Sequence, residues 1–319
     1  MTRPQPTFWR RSGSRAPPTP STPLPFAGRL GANQEFTLDK QPRDAEETSL
    51  LQKFPDAAPW IPLGQSLDLS HITQIELWKA AVIEGVGSCF LVYLTCFVAV
   101  GLGGWTFASG PLVPSLLGAS TALISLPLFI FATGPVSGAH LNPTITLATF
   151  FGRLATLPRC ILYISFQTLG ASLAGLLLRA SFDSRDFTVP GCTFNTSQIT
   201  LRSAFTIEFT TDFALLFLSF GVGLDPRQRD VFGPALGPIL VGFVLAMCTF
   251  FTGISRPGYS GFSGNPARCF GAMVGSHFAV YHWIHWVGPL AASIAHGVLY
   301  YVFPPYSQKV VGGDDEAGA

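Results

Sequence analysis

The chain has 319 residues, of which 48% are hydrophobic and only 12% are charged, and its mean hydropathy is +0.39. About 25% of the residues in a soluble globular domain are charged, so this composition predicts a membrane protein with several spans. The formal net charge is +1. No electrostatic argument for nucleic-acid binding therefore arises.

The first part of the chain differs in composition from the rest. Residues 1–70 are rich in Pro, Ser and Thr and show no sustained periodicity, which is typical of disordered segments. We therefore predict a disordered tail over residues 1–70, a membrane domain over residues 76–303 and a short tail over residues 304–319. No apolar segment typical of a cleaved signal peptide opens the chain, so we expect the first membrane helix to direct insertion.

Six long apolar segments follow the tail, each near the length of about twenty residues that a spanning helix needs. They cover residues 77–101, 115–133, 158–180, 203–222, 232–251 and 281–303. A shorter apolar segment lies between the second and third and again between the fifth and sixth. Three spans in each half make the second half start from the opposite side of the membrane. The sequence thus predicts an all-α membrane protein with six transmembrane helices and two half-helices in an inverted repeat.

The two shorter segments begin with similar sequences, SGAHLNPT at Ser137–Thr144 and SGFSGNPA at Ser260–Ala267. Asn caps a helix and Pro fits its first turn. A helix of about ten residues is about 15 Å long, which is half of a hydrocarbon core. We expect these half-helices to enter from opposite faces, so that Asn142 and Asn265 meet near the midplane. Each amide NH2 would then be free to donate toward a solute path.

This pair of motifs resembles the two NPA boxes of the aquaporin (major intrinsic protein) family, and the resemblance covers about residues 76–303. It rests on Asn142-Pro143-Thr144, Asn265-Pro266-Ala267-Arg268 and the run His282–Pro289. The resemblance implies an aquaporin-like channel domain that passes water, and also small neutral solutes, without energy input. It further implies a homotetramer in the lipid bilayer, with no cofactor, no metal and no nucleic acid. The alternative is a channel selective for glycerol, hydrogen peroxide or ammonia with little water flux.

The resemblance assigns four residues to the narrowest part of such a pore. They are Ala122 in the second span, Thr249 in the fifth span, Phe262 before the second box and Arg268 after it. An Arg in a wet constriction screens cations and donates to water. Two small residues predict a wider constriction than in water channels, which Phe262 could partly refill. The first box ends in Thr144 instead of Ala, which adds a hydroxyl near the midplane.

Two acidic residues lie early in equivalent spans of the two halves, Glu84 in VIEGVGSCF and Glu208 in TIEFTTDFA. An ionisable side chain within the membrane is costly, so a functional or satisfied role is the default expectation. The resemblance implies that both brace loop backbone behind the pore and that His140 has a structural role. A proton relay is the alternative. The spans show no further acid pair, which favours transport without a coupling ion.

The distribution of basic residues predicts the orientation. Basic residues are frequent in the tail and flank the third span at Arg153 and Arg159, whereas the loop 102–114 has none. The positive-inside rule then places both termini in the cytoplasm. Asn195-Thr196-Ser197 is a glycosylation sequon in the loop 181–202, which this topology places outside. We expect a plasma-membrane protein, with an internal membrane as the alternative.

Two further readings of the sequence concern cysteine and serine chemistry. Of six cysteines only Cys192 lies in a polar loop, so we expect small core residues instead of disulfides or a metal set. Gly258-Tyr259-Ser260-Gly261 matches the GxSG of rhomboid intramembrane proteases, and His296 in a later span could act as the base. A closed structural protein with this fold is a third alternative. We predict a channel and not an enzyme.

Overall fold

The computed structural model describes residues 25–31, 37–38 and 44–303. The helices in this part are α1 Ala45–Lys53, α2 Leu63–Ser66, α3 Ile75–Gly103, α4 Leu112–Ser137, α5 Pro143–Phe151, α6 Leu157–Ser181, α7 Leu201–Ser219, α8 Arg229–Ser255, α9 Pro266–Gly275 and α10 Ile284–Val302. An isolated bridge between Phe194 and Tyr259 is the one β-pairing among the described residues. The prediction of an all-α fold is confirmed.

Five stretches are long and apolar enough to cross a membrane: α3, α4, α6, α7 with its continuation to Leu224, and α8 from Val231. The helix α10 has 19 residues and takes the place of the sixth predicted span. Its buried His285 and His296 lower its hydropathy, and it is not among the five. Six long helices therefore occupy the six predicted positions, and the second span is longer than expected, at Leu112–Ser137.

The helix contacts repeat between the two halves of the chain. In the first half α3 packs against α6, in the second half α7 packs against α10, and α4 joins the halves by packing against α8. Each half-helix packs against the last helix of the other half, α5 against α10 and α9 against α6. This exchange is the arrangement expected of an inverted repeat.

Close helix contacts depend on small residues, because they let two backbones approach. A Cβ atom added at Gly170 of α6 would lie 2.0 Å from the backbone oxygen of Gly85 in α3. One added at Gly175 would lie 1.8 Å from the backbone oxygen of Gly271 in α9. The small residues of α6 therefore serve packing within the chain at these two crossings.

The segment before α3 differs from the disordered tail expected over residues 1–70. Ala27 donates its N–H to the backbone oxygen of Asp56 at 2.6 Å, and Arg159 binds the buried Asp56 carboxylate at 2.7 Å. Ala27 and Asp56 are thus bound to the membrane domain through Arg159. Composition describes a segment on its own. It does not reveal that a short apolar segment between Pro-rich stretches packs against other parts of the chain. Residues 1–24 and the tail over residues 304–319 lie outside the described residues.

Candidate functional site

A cavity of about 600 Å³ lies between the two halves of the membrane domain. We call the face where α3 begins, with residues 25–31 beside it, the inner face, and the opposite face the outer face. The cavity walls include Trp105 and Phe107 in the outer loop between α3 and α4, and Leu30 on the inner side. The four residues assigned to the constriction all line it: Ala122, Thr249, Phe262 and Arg268.

The two box asparagines also line the cavity and cap their helices as expected. The side-chain oxygen of Asn142 accepts from Thr144 N–H at 2.9 Å, and that of Asn265 accepts from Arg268 N–H at 3.2 Å. The expectation of free amide NH2 groups needs correction. Asn142 Nδ2 donates to the backbone oxygen of Gly264 at 2.6 Å, and Asn265 Nδ2 donates to that of Leu141 at 2.9 Å. These reciprocal bonds hold the two helix starts together, and one N–H per amide remains for a solute.

The other box residues lie behind the cavity wall. Pro143, Thr144, Pro266 and Ala267 are buried and are not among the residues that line the cavity. The backbone oxygen of Thr144 accepts from Ser293 Oγ of α10 at 2.8 Å, and the Thr144 hydroxyl is buried. Successive helical residues are rotated by about 100°, so the residues after each Asn turn away from the cavity. The Thr144 hydroxyl is therefore not exposed to the cavity.

The backbone before the first box has an unusual conformation. Ala139 and Leu141 have φ angles of +60° and +52°, in the left-handed region that costs a non-glycine residue about 1–3 kcal/mol. Such a conformation persists only where the surroundings hold it. Non-helical backbone at membrane depth must line a cavity or be buried in protein, and Leu141 lines the cavity.

Glu84 holds this loop from behind. Its fully buried carboxylate accepts from Ser137 Oγ at 2.5 Å and from the backbone N–H groups of His140 at 3.0 Å and Leu141 at 2.6 Å. Gln167 Nε2 donates to it at 2.9 Å. Four donors from three parts of the chain thus converge on one side chain, which satisfies its charge within the protein.

Glu208 holds the second loop in the same way. It accepts from the backbone N–H of Ser263 at 3.0 Å and from Tyr259 Oη at 2.6 Å, and His285 Nδ1 lies 3.3 Å away. One turn later on α7, Asp212 is fully buried, and neither of its oxygens has a hydrogen-bond partner in the described chain. Asp212 was not predicted, and it adds a third buried acid to Glu84 and Glu208. Its spacing of four residues from Glu208 was the available signal.

His140 links the first loop to two other parts of the chain. Its Nδ1 lies 3.1 Å from Thr146 Oγ1 and its Nε2 lies 2.5 Å from the backbone oxygen of Gly28. The ring also packs edge-on against Tyr163. The residue is buried and has partners on both ring nitrogens.

Arg268 reaches across the outer part of the cavity to the loop between α6 and α7. Its Nη2 donates to the backbone oxygen of Pro190 at 2.8 Å. A disulfide joins Cys192 of that loop to Cys269, which contradicts the expectation that the cysteines are only core residues. The pairing could not be read from the sequence, because the two positions meet only when the loop folds back onto α9.

The family model described as "Major intrinsic protein" matches residues 71–301. The chain belongs to the major intrinsic protein (aquaporin) family. It is 31% identical over 238 residues to Aquaporin TIP1-1 of Arabidopsis thaliana, which covers 72% of this chain and 89% of that protein. It is 32% identical over 237 residues to Aquaporin-4 of Mus musculus, with 72% and 70% covered.

A solved structure of this family has a similar fold. The X-ray structure of the aquaglyceroporin from Plasmodium falciparum superposes with a TM-score of 0.56 at 20% identity, over 72% of this chain and 97% of that one. Because the chain belongs to the major intrinsic protein family, it is an integral membrane protein with several spans. It is a passive channel for water or small neutral solutes.

Several residues that line the channel were not predicted. A stripe of small and polar residues on α4 faces the cavity at helical spacing: Ser115, Gly118, Thr121 and Ser125. Residues three or four apart share one helix face, so the sequence did contain this signal. Leu30, Pro190 and Gly191 also line the channel, and they come from segments with no helical periodicity.

Ser260 and His296, the two residues of the protease alternative, lie in different parts of the fold. Ser260 Oγ accepts from the backbone N–H of Gly191 at 2.9 Å and donates to the backbone oxygen of Thr193. His296 packs among aromatic rings, including Phe220 at a centroid distance of 4.6 Å. The serine thus belongs to the outer loops of the channel, and the histidine belongs to the core between α7 and α10.

Proposed function

We propose that this channel passes water together with a larger neutral solute, glycerol or hydrogen peroxide. In this proposal Ala122, Thr249, Phe262 and Arg268 form the constriction. The observation that carries it is the lining of the cavity by all four side chains, of which Ala122 is the smallest. A small residue on α4 leaves width that an aromatic ring would fill.

The charge distribution favours neutral solutes. The half-helices α5 and α9 start at Asn142 and Asn265, which are bonded to each other's loops. Each helix N-terminus carries about half a positive charge, so their meeting point disfavours a cation. Arg268 adds a full positive charge to the outer part of the same cavity. Protons meet the same barrier.

The asparagine amides supply the hydrogen bonds that a polar solute needs. One N–H of each amide is left after the bonds to Gly264 and Leu141, and water or a hydroxyl group can accept it. Carbonyl groups of the non-helical loops accept in return. We assign structural support of these loops to Glu84, Glu208 and His140. The four donors on Glu84 favour this role over a proton relay.

The test is permeability to water, glycerol, ammonia and hydrogen peroxide, measured side by side on proteoliposomes that contain the full chain. We expect water flux above that of empty liposomes and a clear flux of glycerol or hydrogen peroxide. Flux of glycerol without water would favour the alternative channel class. Uphill accumulation driven by a proton gradient would contradict passive transport. We also propose that the chain is not an enzyme, and cleavage of a fluorescent membrane peptide would contradict this.

We further propose that both termini are cytoplasmic, that Asn195 is glycosylated on the outside and that the plasma membrane is the site of residence. Asn195 is exposed, and its side chain accepts from Ser197 N–H at 3.0 Å. Expression in a eukaryotic cell should give a band that a glycosidase shifts. Asn195→Gln and Ser197→Ala should both abolish that shift. A sequon loop protected on the cytoplasmic side would contradict this topology.

A homotetramer is the assembly that the family resemblance implies, and we propose it for this chain. Large apolar side chains are exposed on α3 and α6, among them Phe90 at 52% and Leu169 at 64%. Such side chains can contact lipid or a neighbouring copy. Native mass spectrometry of the detergent-solubilised protein should give four times the mass of one chain, and a monomer would contradict the proposal.

A further inference from the structure

The loop that meets Arg268 contains a tight turn at Val189–Cys192. Cys192 N–H donates to the backbone oxygen of Val189 at 2.9 Å, and Gly191 has a φ angle of +82°. Pro at the second position and Gly with positive φ at the third are the signature of a type II β-turn. The turn is therefore encoded by the sequence VPGC itself, and Pro190 and Gly191 line the cavity.

The turn holds the guanidinium of Arg268 on two sides. Arg268 Nη2 donates to the backbone oxygen of Pro190 at 2.8 Å, and Nη1 lies 3.2 Å from Cys192 Sγ. A Cβ atom added at Gly191 would lie 3.0 Å from Nη1 and 2.9 Å from the backbone oxygen of Phe262. Only a glycine therefore lets the turn approach both constriction residues this closely.

The disulfide closes this arrangement covalently. Cys192 ends the turn that supplies the acceptor, and Cys269 directly follows Arg268 in α9. We propose that Cys192 and Cys269 are positioning residues for Arg268, and that they thereby set the solute selectivity of the channel. This inference rests on the role given to Arg268 in the proposed function.

The physical reason is the freedom of an arginine side chain in a wet cavity. Arg carries about 2 kcal/mol of rotamer entropy, so a movable acceptor would leave its guanidinium in several positions. Other bonds keep the loop near the channel, such as Asn195 N–H to the backbone oxygen of Gly258 at 2.8 Å. Within the turn, Gly191 N–H also donates to Ser260 Oγ at 2.9 Å, and the disulfide is the covalent link from the turn to the residue next to Arg268.

The first test opens the disulfide and measures selectivity. Cys192 and Cys269 are 1% and 0% exposed, so substitution is used in place of an added reductant. We expect Cys192→Ser and Cys269→Ser to change the ratio of glycerol to water permeability about two- to tenfold, the factor that one net hydrogen bond contributes. Cys160→Ser is the matched control, because Cys160 is a buried free thiol on α6 away from the turn. An unchanged ratio in both serine variants would overturn the inference.

The second test separates positioning from general destabilisation. In an Arg268→Ala background the serine substitutions should leave the permeability ratio unchanged, because the group they position is gone. Non-additivity of this kind identifies coupled residues. A similar change of the ratio in both backgrounds would mean that the disulfide only stabilises the fold, and it would overturn the inference.

A third measurement does not depend on transport. Phenylglyoxal modifies accessible arginines, and mass spectrometry of the intact full chain gives the rate at Arg268. We expect this rate to rise at least about twofold in Cys269→Ser and to stay unchanged in Cys160→Ser, because only Cys269→Ser frees the turn whose Pro190 oxygen accepts from Arg268 Nη2. Equal rates would overturn the inference even if the wild type passed no solute. Absence of wild-type flux would instead count against the proposed function alone.

Discussion

The Nε2 atom of His140 lies 2.5 Å from the backbone oxygen of Gly28, which joins the loop of the first box to the N-terminal segment over residues 25–31. The backbone N–H of Leu30 donates to the oxygen of Gly138 at 2.8 Å. Burial lowers the pKa of the Arg29 guanidinium to about 9, so this side chain stays charged at neutral pH. The N-terminal segment is therefore part of the channel wall on the inner side.

Leu30 is the residue of this segment that meets the cavity. It is 2% exposed, and its side chain belongs to an apolar cluster with Ile145 and Val241. We expect Leu30→Ala to raise water permeability, because it removes bulk from the inner part of the path. A barrier lower by about 1 kcal/mol corresponds to a flux about fivefold higher. Stopped-flow light scattering on proteoliposomes measures this flux.

The control for this change is Leu69→Ala, because Leu69 lies in the same N-terminal part of the chain and is 52% exposed. It should leave the flux unchanged. Equal water permeability in wild type and Leu30→Ala, at equal protein content per liposome, would mean that Leu30 does not limit the path.

The carboxylate of Glu84 should be needed for the shape of the first loop. In the wild type, Leu141 N–H donates to a carboxylate oxygen of Glu84 at 2.6 Å. In Glu84→Gln an NH2 group replaces one of the two oxygens, so a donor such as Leu141 N–H faces another donor. Loss of a hydrogen bond to a charged group costs about 1.5–3 kcal/mol, so we expect a lower Tm and reduced water flux. Circular dichroism of the purified protein measures the Tm. Glu76→Gln, at the start of the same helix, should behave as the wild type, and a Tm equal to wild type in Glu84→Gln would contradict the assigned role.

The parts that could be predicted from the sequence depend on local rules and on the repeat. Asn142 and Asn265 cap helices through neighbouring backbone groups, and such short-range preferences are visible in the sequence. Each glutamate, Glu84 and Glu208, stands in the same place in its half. The repeat in the sequence was therefore enough to predict the fold, the two Asn-Pro boxes, and Glu84 and Glu208 behind them.

The parts that could not be predicted depend on segments that dock from a distance. Leu30 reaches the cavity only because residues 25–31 fit beneath the ends of α4 and α5, and composition averages over so short a segment. Cys192 pairs with Cys269 only after the loop has folded back onto α9. The amides of Asn142 and Asn265 bond each other's loops, which requires both halves to be in place.

Ala122 should control the width of the constriction. We expect Ala122→Phe to reduce glycerol or hydrogen peroxide flux strongly while water flux is kept, because a ring removes width without adding charge. Ala132→Phe is the matched control, since Ala132 lies on the same helix and is exposed. Fluxes of both solutes are compared in one liposome preparation. If Ala122→Phe leaves every flux unchanged, Ala122 does not lie at the narrowest point.

Arg268 should control the passage of charged solutes and not the width of the constriction. Two unit charges about 4 Å apart repel by about 4 kcal/mol at an effective dielectric constant of about 20, and this repulsion opposes any cation in the outer cavity. We expect Arg268→Ala to admit potassium ions or protons at least about tenfold faster, since even 1.4 kcal/mol of barrier is worth that factor, while water flux persists. The positive ends of α5 and α9 remain and keep part of the barrier. A pH-sensitive dye and a potassium electrode measure the two leaks, and Arg256→Ala is the control because Arg256 is exposed. Unchanged cation leaks in Arg268→Ala, with Ala122→Phe still selective by size, would assign the cation barrier to the helix ends alone.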